Sequence, residues 1–286
     1  MPTPLPPILP DPDTLAAQLR AALPTFKHIE WVERTTSTNG DLLAQAREGM
    51  PKLARPWLRG AHLQDQGRGR AGRTWQNRSG ANLMFSCAFD VFLPARLLPA
   101  LSPLAGITAC EALRALIGAE HRLHLTMKWP NDLQWKSSKL AGILVEVTRA
   151  GASPVSSDHH VAIIGIGINL DDARSLSQSL DRQIADWGEI AAQDELAATA
   201  TAARIAGACA QAWYDGLNTV TRDGFDDIPA RHAQVDALAG RHIDVLDNGR
   251  LVHAGIACGI DTLGQLRVRT PSGEKPVVVG EVSVRT

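Results

Sequence analysis

A chain of 286 residues, 44% hydrophobic and 21% charged, is long enough for one large domain plus a small one and polar enough to keep a solvated surface. Its formal net charge of -1 excludes a global positive field that would gather nucleic acid or an anionic membrane, so any phosphate binding must be local. The four cysteines, Cys87, Cys110, Cys209 and Cys258, form no CxxC pair and no disulfide-dense pattern, which points to a reducing compartment with the cytoplasm as the expected location.

The segment Met1 to Pro10 is proline-rich and lacks a basic start or a long apolar run, so it reads neither as a signal peptide nor as a membrane span. Asp13 or Thr14 is expected to cap a short helix through Leu15, Leu19 and Leu23 that Pro24 ends. The stretch before Trp31 is too short for a three-helix DNA-binding module, so none is expected at this end. From Val32 to Asn131, glycine- and arginine-rich turns alternate with short apolar strands such as Leu83 to Phe89, and one helix is predicted over roughly Pro103 to Ile117. Leu140 to Val147 and Val161 to Leu170 are predicted to form a long hairpin with both strands largely buried. The alanine-rich stretch from Glu189 to Leu217 carries helical composition. Beyond about Val235, short apolar runs are separated by Asn248-Gly249, Leu263-Gly264 and Ser272-Gly273, and Asn-Gly between two such runs signals a hairpin. Together these elements predict an α+β fold, a mixed sheet with helices packed on it, and a small all-β tail.

The most specific motif is Gly67-Arg68-Gly69-Arg70-Ala71-Gly72-Arg73-Thr74-Trp75. Glycine lets backbone approach a ligand closely, and guanidinium forks match carboxylates and phosphates. The segment is suited to closing over an anion and is expected to be flexible when empty, although alone it equally fits a solvated turn or an arginine-rich RNA-binding segment. A second motif, Lys128-Trp129-Pro130-Asn131-Asp132, leads shortly to Lys139-Leu140-Ala141-Gly142. Pro130 ends a strand and exposes the polar residues after it. Asp132 could hold Mg²⁺ and Lys128 could meet phosphate oxygens. Lys139, at the start of an apolar strand, could aim its ammonium into a pocket, whereas for Lys128 or Lys139 taken alone an ordinary surface lysine flanking a strand is the favoured reading.

Gly165-Ile166-Gly167-Ile168-Asn169-Leu170 lacks the third glycine and the following helix of a dinucleotide fingerprint. Its glycines instead suit a strand against which a flat group can lie. Thr36-Ser37-Thr38-Asn39 could cap the helix near Asp41 or read a polar ligand head, with the cap favoured for an isolated tetrapeptide. His121 and His124 lack a third metal ligand nearby, and His159-His160 is expected to face solvent.

In this order and spacing, Ser37-Thr38-Asn39, the loop ending at Trp75, Lys128 to Asp132, Lys139 to Leu144, Gly165 to Asn169 and Gly280-Glu281-Val282-Ser283 resemble the biotin protein ligase family from about Trp31 to the C-terminus. The resemblance implies a class II synthetase-like catalytic domain over 1–235 and an SH3-like barrel over 236–286. It implies ATP-dependent activation of biotin to biotinyl-AMP, then transfer to a lysine of a biotin carboxyl carrier protein. Carried over by position, Ser37, Thr38, Asn39, Gln64, Arg68, Gly69, Arg70, Lys139 and Gly142 would bind biotin. Arg70, Arg73, Trp75, Lys128, Asn131 and Asn169 would bind ATP, Lys139 and Arg70 would be catalytic, and Asp132 would hold Mg²⁺. Ser138 stands where many relatives have a second basic residue. No nucleic acid or membrane partner is implied, and a homodimer is left open. The competing expectations are a lipoate or octanoate ligase of the same architecture and a non-catalytic nucleic-acid binder using the loop arginines.

Overall fold

In β7, His159–Asn169, Val161, Ile163, Ile164, Ile166 and Ile168, interleaved with alanine and glycine, make a strand buried on both faces, and the rest of the main sheet is assembled around it. The computed structural model describes residues 9–47, 54–149, 158–180, 182–247, 249–278 and 281–284. Its main sheet also contains β1 (His28–Thr35), β2 (Trp57–Gln64), β3 (Asn82–Phe92), β4 (Leu125–Lys128), β5 (Asp132–Trp135) and β6 (Ser138–Arg149). The strand order is β1-β2-β3-β7-β6-β5-β4. Only β1 and β2 run parallel, so the sheet is mixed as predicted.

Side chains alternate between the two faces of this sheet. Leu83, Phe85, Cys87, Phe89, Ile164, Ile166 and Ile168 belong to one hydrophobic core together with α1 (Pro12–Ala22), α3 (Leu101–Arg114) and α7 (Ala202–Asp223). Trp213 of α7 donates its indole N–H to Ala105 O of α3 at 3.0 Å, fixing the two central helices against each other. The opposite face carries α2 (Thr38–Arg47), whose Leu42, Leu43 and Ala46 meet Trp57, Ala88, Val161 and Ile163. Beyond α2 this face is left open, and the cavity described below is built there. The three fully buried cysteines are free, and burial pushes the Cys110 and Cys209 thiols up to about 12 and the Cys87 thiol upward as well, so they act as apolar filling.

Several boundaries differ from the sequence expectation. The first helix is capped by Asp11, whose carboxylate accepts from Thr14 N, with Pro12 at the first helical position where its missing N–H costs nothing. Strand β6 is half-buried rather than buried, because one of its faces looks into the cavity. The alanine-rich stretch is broken into α5 (Trp187–Ala191), α6 (Glu195–Ala198) and α7, since Asp186, Asp194 and Thr201 each start a new helix by accepting a backbone N–H. A further short helix, α4 (Ala173–Leu180), precedes them. His159 and His160 do not face solvent freely: His159 bonds Asp90 at 2.7 Å and stacks on Phe92, and His160 is buried.

After α8 (Ile228–Val235), a five-stranded antiparallel sheet is formed by β8 (His242–Asp247), β9 (Arg250–Ile260), β10 (Leu266–Thr270), β11 (Gly273–Val277) and β12 (Glu281–Val284), in the order β11-β10-β9-β8-β12. Gly249, Gly264 and Gly273 all adopt positive φ at the predicted turns. Asn248 and Gly280 lie outside the described residues. The two sheets share one core, and Trp129 Nε1 donates to Gly264 O across the junction at 3.0 Å. Among the described residues, no helix is long and apolar enough to cross a membrane.

Candidate active site

Gly142 and Gly167 face each other across β6 and β7, with Gly165 two residues along and paired to Leu144 and Ser86. Three glycines on one face leave a strip of bare backbone as the floor of a cavity of about 940 Å³. Two side chains already lie on that strip. The Asn39 amide oxygen occupies the place of a Cβ on Gly165, and the Trp75 indole that of one on Gly167. The flat group expected against these glycines is therefore, in this structure, the chain's own tryptophan.

A neutral polar cluster forms one part of the wall. Ser37 caps α2 by accepting from Gly40 N at 3.3 Å, which places Thr38 and Asn39 at the cavity, so the motif both caps and lines. Gln64 Oε1 accepts from Thr38 N at 2.8 Å, and the hydroxyls of Thr38 and Ser86 share a hydrogen bond of 2.7 Å. Ser86 Oγ in turn donates to Asn39 Oδ1 at 2.6 Å, and Asn39 Nδ2 donates to Glu146 Oε2 at 2.9 Å.

The remainder of the wall is cationic. Arg68, Arg70, Arg73, Lys128, Lys139 and Arg182 line the cavity against the carboxylates Asp132 and Asp247. In a chain of nearly zero net charge, this is the local positive field that phosphate or carboxylate binding requires. The segment 67–75 is folded into a small hairpin: Trp75 N donates to Gly67 O at 2.8 Å and Gly69 N to Arg73 O at 2.7 Å, and Ala71 and Gly72 turn through positive φ. Arg70 NH1 donates to Asn131 Oδ1 at 3.3 Å, and Asn131 Nδ2 donates to Ile143 O at 2.7 Å. Lys139 Nζ bonds Asp132 Oδ1 at 2.6 Å and lies 5.8 Å from the Trp75 ring centre, within cation–π range.

Ser37, Thr38, Asn39, Gln64, Arg68, Gly69, Arg70, Arg73, Trp75, Lys128, Asn131, Asp132, Lys139 and Gly142 thus converge on one cavity. Asn169 does not. It is buried behind the wall, with Nδ2 donating to Lys139 O and Ala185 O and Oδ1 accepting from Asn82, so its side chain props the backbone of Lys139 rather than facing the cavity. Among the described residues, no three His, Cys, Asp or Glu side chains gather into a metal cage. Asp132 is a carboxylate on the cationic part of the wall, and a divalent cation that arrives with nucleotide phosphates needs only one or two such protein ligands. His121 is engaged by Asp194 at 3.0 Å. Sequence reading missed Ser86 and Glu146, polar residues set between apolar neighbours in β3 and β6, and also Arg182, Leu246, Asp247 and Val282. The last three belong to the C-terminal sheet, and only the fold brings them to the cavity.

The fold and cavity define an α+β protein with an anion-attracting cleft completed by a small β domain. A model of the Biotin/lipoate A/B protein ligase family matches residues 31–169, and one of the Biotin protein ligase C terminal domain matches residues 239–285. A biotin–(acetyl-CoA-carboxylase) ligase of Paracoccus denitrificans is 31% identical over 256 residues, covering 87% of this chain and 97% of that protein. The chain belongs to this ligase family. It is also 31% identical over 226 residues to the bifunctional ligase/repressor BirA of Salmonella typhimurium, covering 79% of this chain but 66% of that longer protein. The chain thus spans about two thirds of the length of the ligase/repressors it matches. In structure it is similar to the biotin protein ligase from Aquifex aeolicus in complex with biotin and ATP, with TM-score 0.68, 23% identity and coverage of 91% of this chain and 99% of that one. The corresponding values for the Leishmania major ligase in complex with biotinyl-5-AMP are 0.57, 24%, 91% and 98%. These likenesses support the SH3-like character of the C-terminal sheet.

Proposed function

We propose that this chain is a biotin protein ligase, which joins biotin to ATP as biotinyl-5'-AMP and then passes the biotinyl group to a lysine of a biotin carboxyl carrier protein. The observation that carries this reading is the division of one cavity into a neutral hydrogen-bonding cluster and a cationic wall. A ureido head needs donors and acceptors without charge, and the cluster of Ser37, Thr38, Asn39, Gln64 and Ser86 offers both. A lipoate or octanoate ligase would need an apolar pocket at the same place, so the polar cluster favours biotin.

In this reading the biotin carboxylate attacks the α-phosphorus of ATP, a bond forms between that oxygen and phosphorus, and pyrophosphate departs. Lys139 and Arg70 hold the carboxylate and phosphate oxygens and stabilise the charge that gathers there. Lys128, Arg73 and Asn131 hold the nucleotide, with Trp75 against the base. Mg²⁺ carried with ATP, held through Asp132, would neutralise phosphate charge. The segment 67–75, with Arg68 and Gly69, closes over the mixed anhydride and keeps water from it. A neutral lysine amine of the carrier then attacks the acyl carbon, AMP leaves with the electron pair, and the amine loses its proton. Residues 1–235 would form the catalytic domain and 236–286 the small β domain, in a cytoplasmic enzyme.

Incubation with ATP, Mg²⁺, biotin and a carrier domain should raise the carrier's mass by one biotinyl group, whereas lipoate should give none. A carrier modified by lipoate and not by biotin would overturn the assignment.

A further inference from the structure

We propose that Glu146 is a positioning residue that latches the segment 67–75 to the neutral polar cluster, so that one carboxylate sets both loop closure and the orientation of Asn39. The proposal rests on the ligase reading only for what occupies the cluster.

Glu146 pairs with Ile163 in the register that pairs Leu144 with Gly165, so its side chain is on the cavity face. Its two oxygens have different partners: Oε1 is 2.9 Å from Arg68 NH2, and Oε2 accepts from Asn39 Nδ2 at 2.9 Å. Asn39 is buried, and its own Oδ1 accepts from Ser86 Oγ. The carboxylate is the nearer acceptor of the Asn39 amide, with Leu144 O at 3.4 Å behind it, and with Ser86 it holds that amide in one orientation. Arg68 is the residue through which the hairpin of the segment begins, bridged to Thr74. Hence a hydrogen-bonded chain runs from the loop through Glu146 and Asn39 to Ser86, Thr38 and Gln64.

The strength of the latch suits a loop that must reopen. The Arg68 side chain is 48% exposed and that of Glu146 21%, so this ion pair is screened by water and biases the loop without locking it. Glu146 and Arg68 also line, with the rest of the loop, a second cleft of about 530 Å³.

The test uses the full chain without ligand. Glu146→Gln leaves an acceptor for Asn39 but turns an amide toward Arg68. Hydrogen exchange of the Gly69 and Trp75 amides should quicken by about 2- to 5-fold, the range for a partly exposed ion pair. Arg68→Ala should do the same, and the double variant should exchange no faster than either single one. Exchange like the wild type in both single variants, effects that multiply in the double, or acceleration spread throughout β6 and β7 would each overturn the latch. With ATP and biotin, Glu146→Ala, which removes the acceptor for Asn39 as well, should raise KM for biotin more than it lowers kcat for adenylate formation, and an unchanged KM in that variant would remove the link to Asn39. Because exchange is read without ligand, failure of biotin as substrate and failure of the latch are separate results.

Discussion

A lysine ammonium held 2.6 Å from the Asp132 carboxylate, with its side chain 17% exposed, is already desolvated and aimed before any substrate arrives. Lys139→Ala removes that charge and leaves Asp132 as an unmatched anion in a cavity that has to accept two others. We expect adenylate formation to fall by about 100-fold or more, the scale of losing one preorganised charge-stabilising donor, while thermal stability changes little. Pyrophosphate release under single-turnover conditions reads this, and wild-type turnover would remove Lys139 from the chemistry. Gly165 makes a second residue-scale case. A Cβ there would collide with the Asn39 oxygen and approach Ser86 Oγ at 2.8 Å. Gly165→Ala should cost about 1–3 kcal/mol through overpacking and weaken biotin binding more than ATP binding. Equal loss of both affinities, measured by calorimetry, would show that the cluster does not read the biotin head.

Among the elements, the short helix α6 depends on one side chain. Asp194 caps it through Ala197 N at 2.9 Å, and also accepts from Gly118 N at 2.9 Å and His121 Nδ1 at 3.0 Å, tying α6 to the turn after α3. Burial of Asp194 opposes its ionisation, but these hydrogen bonds outweigh burial and hold its carboxyl below the usual range. A carboxylate with a lowered folded-state pKa contributes stability above its unfolded pKa and loses it as pH falls through the folded one. Asp194→Asn should therefore destabilise the protein by about 1–3 kcal/mol at neutral pH. The gap from wild type should shrink below a pH of about 3.9 in denaturant titrations, and a gap independent of pH there would refute the ionic role. The same helix shows why the element pattern was only partly legible. Alanine content announced helix from 189 to 217, but composition is silent about which Asp or Thr will accept a backbone N–H and restart it. Motif residues such as Lys139 and Arg70 could be read because their charge and glycine neighbours stand out locally. Ser86 and Glu146 could not, since their importance comes from strand register: Ser86 opposite Gly165, and Glu146 within reach of Asn39 and Arg68.

For the molecule as a whole, the question is whether the C-terminal sheet is an appendage or part of the catalytic body. Its Ile243, Val245, Leu266 and Val268 lie in the same core as Leu125, Met127 and Trp129 of the main sheet, and Ala237 N donates to Met127 O at 2.9 Å. Leu246, Asp247 and Val282 reach the cavity wall. Trp129, whose indole N–H crosses to Gly264, is followed directly by Pro130 and Asn131 of that wall. A shared core of this kind should unfold as one unit, so calorimetry of the intact chain should give one transition. Trp129→Phe keeps most of the ring but deletes the donor, leaving Gly264 O unpaired. It should lower the midpoint by an amount corresponding to about 1 kcal/mol while the transition remains single. Two resolved transitions in the wild type, or a variant whose two sheets melt apart with no loss of adenylate formation, would mean that the small sheet folds for itself and serves the cavity only as a neighbour.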